Sequence, residues 1–195
     1  MVDKNRRRAL QAFGTSALVV ASGCSSLSSQ PTSLGSPTVE KPEAGVRHYD
    51  FTHESAHVAN VDVAVRPRST QPERATLALA VGPQADGWKS RRVQFTLRAP
   101  ATGPPSESAR FLLDVDTSAS YPISLRVGDD GERVLELDGL TEAGLGDSTI
   151  PLELVLVSNT TVESLALDVE TRWRSPDGEP LDASFSDRLS VPPRG

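Results

Sequence analysis

The chain has 195 residues, of which 37% are hydrophobic, and it carries a formal net charge of −6 with a single Cys. This length suits one domain rather than two, and one Cys excludes an internal disulfide bond. An acidic surface repels phosphate backbones, so we expect no nucleic-acid partner.

The first residues have the layout of an export signal. A basic cluster at residues 4–8 precedes an uncharged, mostly apolar stretch from Ala9 to Ala21, and small residues then lead to Cys24. A basic start, a short apolar core and small residues before a cut are typical of secretory signals. A membrane-spanning helix, by contrast, needs about 20 apolar residues. The sequence therefore predicts that residues 1–23 are a signal peptide.

Two motifs in this segment resemble those of exported prokaryotic lipoproteins. Ala21-Ser22-Gly23-Cys24 is similar to a lipobox, with Ala21 where Leu or Val is usual, and Arg7-Arg8-Ala9-Leu10 resembles a twin-arginine export signal. Together with the acidic composition, they resemble the surface lipoproteins of halophilic archaea. The resemblance implies cleavage before Cys24, a lipid on its sulfur, and anchoring to the outer face of the cell membrane. The alternative is a plain secretory signal followed by a chance Cys.

Residues 24–45 are predicted to be a flexible linker that follows the lipidated Cys. Residues 25–38 are uncharged and rich in Ser, Thr and Pro. A segment of that composition cannot bury enough apolar surface to fold. We therefore expect one folded domain over residues 46–195, held clear of the membrane by this spacer.

From residue 46 onward the main signal is alternation of apolar and polar residues, which marks half-buried β-strands. Two such runs, at residues 165–173 and 181–191, flank Ser175-Pro176-Asp177-Gly178 and predict an antiparallel hairpin. A second hairpin is predicted over residues 121–138, around Asp129-Asp130-Gly131. Further strands are predicted at residues 58–65, 75–82, 91–98, 110–116 and 149–157.

These strands, about nine in all, predict an all-β fold, an antiparallel β-sandwich that is loosely immunoglobulin-like. The 149–157 run is apolar on both faces and suits a central strand. Residues 141–146 contain two Gly and predict no more than a turn. Trp88 and Trp173 are expected to anchor the core rather than to form a ligand platform.

His53-Glu54-Ser55-Ala56-His57 matches the His-Glu-x-x-His pattern of zinc metallopeptidases. On a helix, two His four residues apart share one face and bind one Zn²⁺, with the Glu as general base. On a strand the two His lie about 13 Å apart, which is too far to ligate one ion. The alternating run from Val58 onward argues against a helix, so a metallopeptidase is an alternative that requires a helix over residues 50–60.

All three His of the chain, His48, His53 and His57, fall within ten residues. Because His clusters bind transition metals, a non-catalytic metal-binding accessory protein is a further alternative. The acidic pairs Asp114 with Asp116 and Asp129 with Asp130 lack the spacing of a calcium loop, and we interpret them as solvated.

Asn159-Thr160-Thr161 is an N-glycosylation sequon that follows an apolar strand. The sequence contains neither a serine-hydrolase elbow nor a glycine-rich phosphate loop. The main interpretation is therefore a non-enzymatic binding or structural module at the cell surface, without a cofactor. Its predicted partner is the membrane, through a lipid on Cys24, and the residues identify no ligand.

Overall fold

The alternating runs form β-strands throughout the computed structural model, which describes residues 32–67, 74–100, 109–114, 121–158 and 161–192. The strands of these residues are β1 Thr32–Ser33, β2 Thr38–Glu40, β3 Val46–His53, β4 Ala56–Pro67, β5 Arg74–Pro83, β6 Lys89–Arg98, β7 Arg110–Asp114, β8 Ile123–Val127, β9 Arg133–Asp138, β10 Ile150–Val157, β11 Ser164–Arg174 and β12 Pro180–Ser190. The predicted signal peptide, Cys24, Asp116 and Asn159 lie outside the described residues.

The strands form two six-stranded sheets. Sheet 1 has the order β1-β12-β11-β6-β9-β8, and sheet 2 has the order β2-β3-β4-β5-β10-β7. β1 pairs with β12 in parallel, whereas the other pairings are antiparallel. This arrangement confirms the predicted β-sandwich and both predicted hairpins, β8–β9 and β11–β12. Within the ranges above, no helix has the length and hydropathy that crossing a membrane requires.

The core lies between the two sheets and is built from the inward residue of each alternating pair. Along β11, for example, Leu165, Leu167, Val169, Thr171 and Trp173 are all buried. Burying one large aliphatic side chain contributes about 1.5–3 kcal/mol. The indole Nε1 of Trp173 donates a 2.8 Å hydrogen bond to Thr171 Oγ1, so this buried polar atom has a partner. Trp88 is buried as well.

The segment that contains β1 and β2 closes one open side of the sandwich. β1 pairs with β12 of sheet 1, and β2 pairs with β3 of sheet 2. Leu34, between the two strands, packs against the core. Residues 32–40 therefore belong to the folded domain, although their composition led us to assign them to a linker. The domain begins closer to Cys24 than the sequence suggested.

The two ends of the sandwich carry different turns. Turns at residues 54–55, 84–88 and 175–179 lie together at one end, which we call the hairpin end. The turn at residues 41–45 lies at the opposite end, beyond the start of β3. Strand directions therefore fix which loops share an end.

β1 enters the fold at the hairpin end. Thr32 pairs with Leu181, the second residue of β12. The Thr32 hydroxyl also donates a 2.6 Å hydrogen bond to Glu179 Oε1, in the turn before β12. The chain that precedes Thr32 therefore joins the domain at this end.

Candidate functional site

The His-Glu-x-x-His segment forms the turn between β3 and β4. His53 pairs with Ala56, and Glu54 and Ser55 between them have φ angles of 49° and 69°. Two successive residues with positive φ in a two-residue hairpin loop are characteristic of a type I′ turn. Residues 50–60 therefore form two strands and a turn instead of the helix that a zinc metallopeptidase requires. The metallopeptidase alternative, which depended on that helix, is wrong.

The three His side chains do not converge. His53 follows the inward positions of β3 and lies against Trp88 at the hairpin end, with ring centroids 5.5 Å apart. His48 and His57 lie on the outer face of sheet 2, where each contacts a carboxylate. Among the described residues, no three metal-ligating side chains are grouped so that they could hold an ion. The geometry thus gives no support to the metal-binding accessory alternative.

Hydrogen bonds and one His–carboxylate contact connect the polar side chains on the outer face of β3 and β4. His48 Nδ1 lies 2.7 Å from Asp62 Oδ1, and His57 Nε2 lies 2.9 Å from Asp50 Oδ1. Asn60 Nδ2 donates to Asp62 Oδ2 over 2.9 Å. We call this set, His48, Asp50, His57, Asn60 and Asp62, the histidine face. Both imidazoles are oriented by carboxylates, and the face presents hydrogen-bonding groups to the solvent.

A shallow groove adjoins the histidine face on the outer surface of sheet 2, with a volume of about 580 Å³. Its floor consists of Ala64, Ala78 and Ala80, which lie next to one another on β4 and β5. Larger side chains on the flanking strands form its sides, with His48 on β3 and Glu153 on β10. The groove exists because small residues occupy the central strands while bulkier ones flank them.

A partly buried polar bridge joins the sheets on the side closed by β1 and β2. The Tyr49 hydroxyl donates a 2.7 Å hydrogen bond to Asp187 Oδ2. Arg47 Nε lies 3.3 Å from the same oxygen, although it is not aligned for a hydrogen bond. Phe185 stacks on Tyr49, with centroids 4.1 Å apart. Burial raises the pKa of the Tyr49 hydroxyl far above its ordinary value, and Asp187 raises it further.

Ion pairs cover the outer face of sheet 1. Arg92 Nη2 lies 2.6 Å from Glu136 Oε1, and Arg172 Nε lies 2.8 Å from Asp182 Oδ1. Asp182 holds the pKa of the Arg172 guanidinium above its usual range by hydrogen bonding and by its charge. Both pairs connect neighbouring strands. Because they are solvent-accessible, each contributes little to the free energy of unfolding.

The described residues of the acidic pairs lie in a turn and at the end of a strand. Asp129 and Asp130 form part of the β8–β9 turn, where the Asp130 N–H donates to Glu132 Oε2 over 3.0 Å. Asp114 ends β7.

Sequence reasoning did not identify the groove, because its floor depends on which residues of β4 and β5 pair.

Comparison with known proteins assigns the chain to no characterised activity. The model of a family described as "Domain of unknown function (DUF8121)" matches residues 31–184. No curated protein matches the sequence.

Several solved structures resemble the fold. One is a cohesin module from a family 33 glycoside hydrolase of Clostridium perfringens, with 14% identity, TM-score 0.39, and coverage of 68% of this chain and 96% of that one. Another is the collagen-binding subdomain of the Enterococcus faecalis surface protein ACE, with 7% identity, TM-score 0.39, and coverage of 62% and 89%. Domains D2 and D3 of the Corynebacterium diphtheriae major pilin SpaD give 11% identity, TM-score 0.37, and coverage of 68% and 50%. Such TM-scores denote a distant likeness that assigns no function.

Proposed function

Because the chain belongs to the DUF8121 family, a domain of unknown function, we propose its function from its own residues. It is an exported, non-enzymatic binding or structural module, held at the outer face of the cell membrane by a lipid on Cys24. The proposal has two parts, the anchor and the absence of catalysis, and each has its own support and its own test.

The observation that carries the anchor is the short distance along the chain between Cys24 and the first strand. Only residues 25–31 separate Cys24 from β1, which begins at Thr32. A fully extended segment of that length reaches about 25 Å. A spacer of this length is long enough to hold the folded domain clear of a headgroup layer about 5–8 Å deep, as anchoring at Cys24 requires.

The non-enzymatic part rests on how the polar side chains are partnered. The residues that made catalysis attractive, His53, Glu54 and His57, lie in and beside a type I′ turn. His48 and His57 are each held by an Asp on the outer face of a sheet. The groove beside them has a floor of three Ala residues and sides of larger apolar and polar side chains. Such a surface offers contact area and hydrogen bonds to a partner.

Membrane partition of a Cys24→Ser variant tests the anchor. In an export-competent prokaryotic host we expect the wild-type protein to enter the detergent phase, with the mass of a lipidated chain that begins at Cys24. Cys24→Ser should lose both properties. A matched control, Cys24→Ser with Ser28→Cys, keeps one Cys but places it directly after Leu27 instead of after small residues, and should not regain them. Unchanged partition and mass in Cys24→Ser would refute lipidation.

Elemental analysis tests the absence of a metal centre. We expect purified wild-type protein to hold no stoichiometric transition metal after exposure to equimolar Zn²⁺ and washing. A paired variant, His53→Ala with His57→Ala, should give the same result. Stoichiometric zinc in the wild type that is lost in this variant would overturn the non-enzymatic reading and revive both metal-binding alternatives.

A further inference from the structure

Among the described strands, β7 is the edge strand of sheet 2 on the side away from β2. In the described part of the chain, β7 ends sheet 2 and pairs with β10 alone. An unpaired edge presents a row of backbone N–H and C=O groups that readily bind a further strand. Natural edges are usually protected by Pro, Lys or an inward-pointing charge. The five residues of β7 contain neither Pro nor Lys.

Leu112, at the centre of β7, is unusually exposed for a large apolar residue, at 53%. It lies on the outer face opposite Val155 of β10, which is only 7% exposed. Phe111, on the other face, is buried in the core, and Leu113 packs against it. The Leu112 side chain is therefore next to its own sheet on the β10 side and is exposed to solvent on the other side.

The sequence of β7 is complementary to itself. In an antiparallel pair of two copies centred on Leu112, Leu112 faces its own equivalent and Phe111 faces Leu113. Arg110 then pairs in register with position 114, which is an Asp in the sequence, so residue types of opposite charge occupy paired positions at both ends of the strand. Opposite charges and apolar pairs directly across two strands each stabilise the pairing. This charge complementarity identifies the partner strand as a second β7.

We propose that two copies of this protein associate through β7, antiparallel about Leu112, so that their sheets 2 become one continuous sheet. The interface is a two-fold contact in which the same surface serves both copies. Leu112 is covered by its equivalent, and the core is extended by Phe111 against Leu113. The proposal does not depend on the lipid anchor.

The other open edges are less suited to this pairing. β8, at the far edge of sheet 1, reads Ile-Ser-Leu-Arg-Val, and pairing with itself about Leu125 would place Ser124 opposite Arg126 without charge complementarity. On the other side of the sandwich, β1 and β2 already pair with part of the β12 and β3 edges. The combination of an open edge, an exposed Leu and complementary ends occurs at β7.

Charge exchange in the full-length chain carrying Cys24→Ser tests the pairing without detergent. The parent should sediment as a dimer at about 100 µM in analytical ultracentrifugation. Arg110→Asp should place like charges opposite each other and raise the dimer dissociation constant about tenfold or more, as should Asp114→Arg. The double variant restores opposite charges and should recover dimerisation. Mixing the two single variants should give a heterodimer, since one then carries two Asp and the other two Arg.

Disulfide trapping gives an independent readout. In the Cys24→Ser chain, Leu112→Cys introduces a single thiol at the two-fold axis. Directly opposite residues have Cα atoms about 4.5–5.5 Å apart, within the range that a disulfide spans. Mild oxidation should therefore link most of the protein into dimers. The matched control is Val127→Cys on β8, which is 61% exposed at the other sheet edge and should remain largely monomeric.

Three results would overturn the proposal. The first is a monomeric parent at the concentration above. The second is a set of single charge variants that dimerise as well as the parent while retaining its melting temperature, which would place the contact elsewhere. The third is equal cross-linking of Leu112→Cys and Val127→Cys, which would indicate random collision.

Discussion

Asp187 accepts a hydrogen bond from the Tyr49 hydroxyl over 2.7 Å, and this contact joins β12 of sheet 1 to β3 of sheet 2. In the sequence, Asp187 interrupts the apolar face of β12. The structure explains this interruption, because Asp187 faces Tyr49 and Arg47 across the gap between the sheets. A polar residue at an inward position is thus paired with the groups that it needs.

Replacing Asp187 by Ala is expected to lower the free energy of unfolding by about 2–3 kcal/mol, because the Tyr49 hydroxyl and Arg47 would be left buried without their acceptor. Asp187→Asn keeps an oxygen for Tyr49 and should lose less. Asp182→Ala on the same strand is the control, since it breaks a solvent-accessible pair with Arg172 and should cost under about 1 kcal/mol. Urea unfolding measures all three, and equal losses for Asp187→Ala and Asp182→Ala would contradict the bridge.

The raised pKa of Tyr49 predicts instability at high pH. Above its ordinary value of 10.0 the unfolded chain releases the phenol proton, whereas the folded chain retains it. The unfolded state therefore gains stability as pH rises, and the free energy of unfolding falls by about 1.4 kcal/mol per pH unit from this group. Below that pH both states hold the proton, and the contribution is constant.

Tyr49→Phe should make the decline above pH 10 shallower, at the cost of a lower stability at neutral pH from the lost hydrogen bond. Denaturant unfolding between pH 8 and about 11.5 measures both effects. Tyr121→Phe keeps Tyr49 and should retain the full decline. Parallel pH profiles for the wild type and Tyr49→Phe would show that Tyr49 does not titrate differently on unfolding.

The turn at Glu54 and Ser55 predicts a stabilising double substitution. Both residues adopt positive φ, which costs an ordinary L-residue about 1–2 kcal/mol. Glu54→Asn with Ser55→Gly supplies the pair preferred in type I′ turns and should raise stability by about 1 kcal/mol, or about 2–4 °C in melting temperature.

Ser55→Val is the matched control for this turn and should lower the melting temperature, because a β-branched residue tolerates positive φ poorly. A helix over these residues would respond in the opposite way, since Gly disfavours helix. A lower melting temperature for the Asn-Gly variant would therefore refute the hairpin. Calorimetry of the purified variants distinguishes the two outcomes.

Gly45 and Gly178 predict different costs for the same substitution. Both have positive φ, at 79° and 86°. A Cβ at Gly45 would lie 2.8 Å from the Val65 carbonyl oxygen and 2.9 Å from Pro192, whereas one at Gly178 meets nothing within 4 Å. Gly178→Ala should cost about 1 kcal/mol from backbone strain, and Gly45→Ala at least about 1 kcal/mol more from the clash. Equal costs would contradict the close approach of the two segments.

Sequence reasoning identified the strands in which apolar residues alternate over most of their length or occupy both faces, and the single interruption at Asp187 did not obscure β12. β11 and β12 with their Pro-Asp-Gly turn are the clearest example, since alternation and turn chemistry are both local. β3 was missed because Arg47 and His53 occupy inward positions at its two ends. Tyr49 and Phe51 lie between these two residues and point into the core. Their alternation with polar residues was the feature that could have predicted the strand.

β1 and β2 lacked such a signal. Their residues are exposed, and their composition resembles that of a linker. They are strands because edges of β12 and β3 are available to pair with them. The groove could not be predicted from the sequence for a related reason, since it depends on the pairing of Ala64 with Ala78 across two strands. Features that depend on pairing between distant segments cannot be read from one segment alone.

The parallel pairing of β1 with β12 has a mechanical consequence. A pull on the chain before Thr32, directed away from the hairpin end, acts along the strand axis and stretches the β1–β12 contacts at the same time. Contacts loaded in shear in this way must yield together, whereas contacts at a peeled edge break one after another. If the chain is held at Cys24, as we propose, a pulling force enters the domain through Thr32, and the β1–β12 contacts resist it together.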